Sequence, residues 1–198
     1  MGWFSRTRTP KDDWSAMSSV MRVEAKLQEL GEITPARRAG LIYTDSAEIT
    51  FLSNIETELK TVLHEGEGAT KTAFSIKDDD RGMRWIILED GNFNDLVSSV
   101  YTVGNAIDSN QGGDNLLAAV FEMYFTGEVD DRTFRSGLRT YWIYRYDRKA
   151  FYPFVPTGDK EGDRDRPTEA RLGYDLRKHG LIVERSLTEW MGLWGIPF

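Results

Sequence analysis

Seven aromatic residues fall within the eighteen positions 139–156, RTYWIYRYDRKAFYPFVP, whereas aromatics make up 12% of the whole chain. Aromatic and β-branched side chains fit a pleated, half-buried surface. Asp147-Arg148-Lys149 interrupts them as a polar turn, so the stretch predicts a β-hairpin. Pro153 limits how that hairpin can sit: proline has no N–H to give to a ladder, so the second arm must be an edge strand or leave the sheet there. Two uses of the rings are open at this point. They can fill the core, the usual fate of large aromatics, or one face of the hairpin can stay open as a contact surface.

With 198 residues, 40% of them hydrophobic and 29% charged, the chain is suited to one globular domain. It has no cysteine, which excludes a disulfide scaffold, thiolate metal sites and thiol chemistry. A formal net charge of -7 disfavours general nucleic-acid binding, because affinity for a polyphosphate comes from clustered lysine and arginine. No stretch has the roughly 20 consecutive apolar residues of a membrane span, and the first residues lack the apolar core of a signal peptide. The expected location is the cytoplasm.

Residues 1–11 are expected to form a flexible segment. Trp3 and Phe4 lie beside Arg6, Arg8 and Lys11, a composition that can also rest peripherally on an anionic membrane face. Residues 12–198 are expected to be a single α+β domain. Asp12 or Asp13 caps a helix reaching about Leu30, and Leu41-Ile42-Tyr43 marks a short strand. Asp45 with Glu48 has capping-box spacing for a second helix bearing Ile49, Leu52, Ile55 and Leu59 on one face. Phe74 and Ile76 alternate in a strand, the turn at Asp78-Asp79-Asp80 follows, and the apolar run Trp85-Ile86-Ile87-Leu88 predicts a strand covered on both faces. Asn92 or Asn94 caps a third helix, and Leu116–Phe125 is expected to be a strand.

After the hairpin, Pro167 suits the first turn of a helix that stops at Gly180, and Ser186 with Glu189 has capping-box spacing for a short final turn. The chain ends WMGLWGIPF, too apolar to hang in water, and this tail is expected to dock on the domain. The middle order, strand-helix-strand-strand-helix-strand, predicts a mainly antiparallel sheet with helices packed on one face, a ferredoxin-like or related two-layer sandwich.

No reaction chemistry is legible. His64 and His179 each fall near a helix C-terminus without a hydroxyl or carboxylate at a catalytic spacing, and the adjacent aspartates lack the alternation of a calcium loop. No catalytic residue, cofactor or metal site is assigned. The positive features are those of protein interfaces, rich in tyrosine and tryptophan. Tyr144, Tyr146, Phe151, Tyr152 and Phe154 of the hairpin, with Trp190 and Trp194 of the tail, are the candidate partner-binding residues. The alternative is a small-molecule or regulatory domain whose pocket the same rings line.

Several segments resemble one family, the small PspA-associated proteins called PspAB of the phage-shock membrane-stress system. The likeness is carried by Met1-Gly2-Trp3-Phe4, by Trp85 with Asp95-Leu96-Val97 and Asn105, by Tyr144 to Tyr146 with the block FYPFVPTG at 151–158, and by Trp190, Trp194-Gly195 and Pro197. The order is the same and nearly the whole chain is covered. The polar connection Thr126 to Gly137 is longer here, and the middle is richer in acids. The resemblance implies a non-enzymatic companion of PspA, a coiled-coil protein that assembles on stressed membranes, and, for some relatives, association with membrane metalloproteases of the HtpX type. It supplies no catalytic residues.

Overall fold

A computed structural model of the chain describes residues 13–29, 33–65, 69–79, 82–125 and 137–198. The expectations for residues 1–11, for Leu30 and Gly31 as a helix end, and for most of the connection after Phe125 lie outside the described residues. The fold is α+β. Six strands form one antiparallel sheet in the order β2-β3-β1-β4-β5-β6. They are β1 (Ile33–Thr44), β2 (Ala73–Asp78), β3 (Met83–Glu89), β4 (Leu116–Phe125), β5 (Arg139–Arg145) and β6 (Ala150–Phe154). The helices are α1 (Asp13–Met17), α2 (Ser19–Glu29), α3 (Thr50–Ser53), α4 (Ile55–His64), α5 (Phe93–Ile107) and α6 (Arg166–Lys178). The segment β1-α3/α4-β2-β3-α5-β4 gives the spatial order β2-β3-β1-β4, which is the ferredoxin-like arrangement; β5 and β6 extend it beyond β4.

The registers fix two faces. Leu41, Ile86, Ala119, Tyr144 and Phe151 form one cross-strand row. On that face Phe93 of α5 meets Phe121 of β4, with ring centroids 6.1 Å apart, and the Tyr144 hydroxyl donates to Asp13 of α1. Ile87, Gly40, Val120, Ile143 and Tyr152 form the neighbouring row on the opposite face. There α6 and the tail provide the cover: Trp190 stacks on Tyr152 and Phe198 meets Trp85 edge-on. Because both faces are covered, Trp85, Ile86, Ile87 and Leu88 are all buried, as their unbroken apolar run requires.

Gly40 shows how close that second cover comes. A β-carbon there would lie 2.6 Å from Cε1 of Phe198 and 2.9 Å from Cε3 of Trp85. The tail is also held in an unusual way. Among the described residues, no amide of 191–198 donates to a backbone carbonyl. Side chains anchor it instead: Arg139 and Tyr141 donate to the Phe198 oxygen and Lys77 to that of Pro197, while Nε1 of Trp194 donates to Asp163.

Several local expectations change. Strand β1 runs twelve residues rather than the short Leu41-Ile42-Tyr43 segment, carrying Pro35 at an irregularity in its pairing with β4. The first helix is broken at Ser18, and the second is divided at Asn54 and begins at Thr50. Asp45 does not cap it: its Oδ1 accepts from the amide of Ser46, its Oδ2 pairs with Arg84, and Ile49 occupies the cap position without a side-chain bond. Ser186 likewise makes no cap bond, and Leu187–Glu189 is a single 3-10 turn. Asn92 behaves as expected, with Oδ1 accepting from the amides of Asn94 and Asp95 at 2.8 and 3.2 Å. Pro153 sits in β6, and β6 is the edge strand.

Candidate functional site

The hairpin forms where expected, with Tyr141 opposite Phe154, Ile143 opposite Tyr152 and Tyr144 opposite Phe151. Its turn closes through the amide of Lys149 donating to the carbonyl of Arg145, and Lys149 takes a positive φ of 49°. The open-face option is corrected by burial. Tyr144, Phe151, Phe154, Tyr152 and Trp190 are at most 3% exposed, while Tyr146 and Trp194 are half-buried. The reason is that alternate residues of one hairpin point to opposite faces, and each face has its own cover. Tyr144 packs on Phe151 at 5.1 Å on the helical side. Phe154 meets Trp194 at 5.7 Å on the tail side, with the Arg164 guanidinium 5.0 Å from the Phe154 ring. The seven rings are thus divided between two layers and do not form one surface.

Burial of the rings leaves polar groups to be satisfied, and two buried carboxylates show how. Arg164 grips Glu169 through three contacts of 2.6–3.1 Å, and Glu169 also accepts from the amide of Val155. Glu122, wholly buried on β4, accepts from Arg38 at 2.9 Å, Arg139 at 2.6 Å and the Tyr124 hydroxyl at 2.9 Å. A buried carboxylate needs such company, because transfer from water is costly without it.

A concave feature among the described residues lies at the turn end of the hairpin. A cavity of about 790 Å³ opens there among the end of α5, the start of β4, the β5–β6 turn and tail residues 191–193. Its floor is apolar, from Ile42, Leu116, Ala118 and Ile143, and its rim includes two exposed apolar side chains, Leu117 at 38% and Met191 at 59%. Trp14 packs against Tyr101 of the wall, with ring centroids 4.9 Å apart. Charged groups surround the floor. Lys149 pairs with Asp13 at 3.3 Å and Arg145 with Asp147 at 2.6 Å, and the Arg145 bond holds the Asp147 carboxyl below its ordinary range. Tyr146 also lines the cavity. Its hydroxyl is buried against Gly104 without a hydrogen-bond partner, 2.5 Å from where a β-carbon on that glycine would lie. Burial, followed by the charges of Asp13 and Asp108, pushes that hydroxyl's pKa up, so it keeps its proton.

Of the sequence candidates, the cavity brings together only Tyr146 and Tyr152; Phe151, Phe154, Tyr144, Trp190 and Trp194 do not line it. No local pattern of residues singles out Asp108, Asp114, Leu117 or Met191. Leu117 was readable as one side of an alternating strand, and Met191 as part of an apolar tail, but their convergence depends on the chain crossing the sheet twice. The histidines stand elsewhere. Nε2 of His64 is 2.9 Å from the carbonyl of Thr72, and neither histidine lines the cavity. Among the described residues no helix is long and apolar enough to cross a membrane.

The family model of PspA associated protein B matches residues 1–198, the whole chain, and the chain belongs to that family. No curated protein and no solved structure matches it.

Proposed function

We propose that this member of the PspA associated protein B family is a non-enzymatic accessory protein of a PspA-type membrane-stress response, acting in the cytoplasm and at the inner face of the cell membrane. The observation that carries the reading is the family match over the full length of the chain. The partner is a PspA-like coiled-coil protein, with an HtpX-type membrane protease as the second candidate. Support for protein binding comes from the apolar residues left in water beside the hairpin turn, Leu117 and Met191, with Leu187 at 50% exposure on the approach to the tail. Exposed apolar side chains grouped on one side mark contact surfaces more often than isolated ones do. In this reading Tyr144, Tyr146, Phe151, Tyr152 and Phe154, with Trp190 and Trp194, serve recognition by holding the turn and the tail in place rather than by touching the partner directly.

The test is capture of purified PspA from the same cell by the full chain, compared with a variant carrying Leu117→Asp and Met191→Asp. Both positions are exposed, so the variant is expected to unfold at an unchanged temperature and to capture at least about tenfold less PspA. Absence of PspA capture by the wild-type chain would refute the accessory reading. Undiminished capture by the variant would move the contact away from this rim.

A further inference from the structure

We propose that the tail-side face of the sheet carries a peptide-binding site for an apolar segment ending in an aromatic residue. Residues 193–198 occupy it as an internal stand-in, which such a segment of another protein displaces. The inference concerns a site on the sheet and does not rest on the PspA reading.

The seat of Phe198 is built from the strands. Gly40 of β1 leaves the hole that the ring fills, since a β-carbon there would lie 2.6 Å from Cε1 of Phe198. Trp85 of β3 and Tyr141 of β5 stand edge-on to the ring, with centroids 6.0 and 6.3 Å away, and the Arg38 guanidinium lies over it at 5.9 Å. Two aromatic neighbours and a cation over one face suit an aromatic ring better than an aliphatic chain. Arg139 and Tyr141 donate to the Phe198 oxygen. Both arginines are fixed by the buried Glu122, at 2.9 and 2.6 Å, while Gly40, Trp85 and Tyr141 are fixed by the strand registers. The socket therefore keeps its shape when empty, which lowers the cost of filling it from another chain.

A second, separate observation is the way the tail reaches that socket. Trp190 is buried and pins one end, and Phe198, 8% exposed, pins the other. Between them, residues 191–193 form one side of the cavity of about 790 Å³, and Met191 faces water. The half-buried Trp194 adds one anchor, its Nε1 donating to the Asp163 carbonyl at 3.1 Å. Among the described residues, no amide of 191–198 donates to a backbone carbonyl, so departure of the segment breaks no ladder. It strands no buried cation either: Lys77 is exposed, and Arg139, 43% exposed at the side chain, keeps its bond to Glu122. What holds the segment is side-chain chemistry that an incoming peptide can reproduce.

The experiment is fluorescence anisotropy of a dye-labelled peptide LWGIPF, which copies residues 193–198, titrated with the full chain and with its Phe198→Ala variant. In the wild-type chain the attached segment competes at high effective concentration, so the peptide is expected to bind the variant at least about tenfold more tightly. The peptide LWGIPA is expected to bind the variant at least about tenfold more weakly than LWGIPF. Adding Tyr141→Phe to the variant removes one donor to the oxygen and should weaken LWGIPF about fivefold. Phe198→Leu, which keeps apolar volume in the seat, is measured alongside and should also bind LWGIPF more tightly than the wild type, so the outcome does not depend on the alanine variant folding. No binding of LWGIPF at millimolar concentration by whichever variant melts cooperatively would overturn the proposal. So would equal binding of LWGIPA, or a wild-type affinity equal to that of the variants.

Discussion

Trp190 lies over Gly173 of α6 so closely that a β-carbon on the glycine would fall 2.3 Å from the indole Cη2. Two effects of Gly173→Ala therefore oppose each other. Alanine in a helix interior gains about 1 kcal/mol over glycine, whereas forcing a buried indole aside costs about 1–3 kcal/mol. Trp190 is 2% exposed and also donates from Nε1 to the carbonyl of Glu184, so it has little room to yield. The expected result is a net loss of stability in denaturant titration, accompanied by a red shift of tryptophan emission.

Glu122 makes a sharper case, because two cations share one buried carboxylate. Arg38 and Arg139 are themselves 38% and 43% exposed at the side chain, so either can return to water while the other still neutralises the acid. Arg38→Met alone is expected to cost about 1 kcal/mol. Combining it with Arg139→Met leaves the carboxylate buried and unmatched, and should cost about 3–5 kcal/mol. A double-mutant cycle should then show strong non-additivity; simple addition would mean that water reaches Glu122.

Burial of tyrosines predicts how the protein fails in alkali. The Tyr43 hydroxyl is pushed up to about 12 from an ordinary 10.0, first by burial, and those of Tyr141 and Tyr152 are also raised first by burial. Between pH 10 and about 12 the unfolded chain releases the Tyr43 proton and the folded chain keeps it. Stability is unaffected by this group below pH 10 and falls as pH rises, by about 1.4 kcal/mol per pH unit for each such tyrosine. Phenolate absorbance from these residues should appear together with loss of structure. Smooth titration of every tyrosine near pH 10 in a folded protein would contradict the burial.

Helix capping gives a prediction of smaller size. Asn92→Ala removes the acceptor for two amides at the start of α5, and Asp165→Ala removes the acceptor for the amide of Thr168 at the start of α6. Each is expected to lower stability by about 1 kcal/mol, read as a shift in denaturant midpoint at constant slope. Asp45→Ala, whose residue has capping-box spacing but no capping bond, should not show a loss of that origin.

These contrasts show where sequence is informative. Pro153 announced an edge strand because one missing donor has one local consequence, and Asn92 announced a helix start for a similar reason. The run Trp85-Ile86-Ile87-Leu88 declared two covered faces without saying what covered them. The fate of the aromatic hairpin was not legible, because it depends on Trp190, Trp194 and Phe198 returning across the sheet from some forty residues away in the chain. Asp45 and Ser186 show the opposite hazard: a favourable spacing yields no cap when Asp45 pairs with Arg84 and Ser186 bonds to Thr188 instead. The cavity was the least legible feature, since Asp108, Leu117, Tyr146 and Met191 become neighbours only after the whole topology has closed.

Among the described residues, the final eight are anchored by side-chain contacts while none of their amides donates to a backbone carbonyl. Hydrogen–deuterium exchange should therefore report their amides as nearly unprotected even while the adjoining Trp190, 2% exposed, fluoresces from a dry environment. A segment fastened by its rings and by side chains gripping its carbonyls can also come away in one piece, leaving the pleated sheet beneath it intact and its aromatic inlay uncovered.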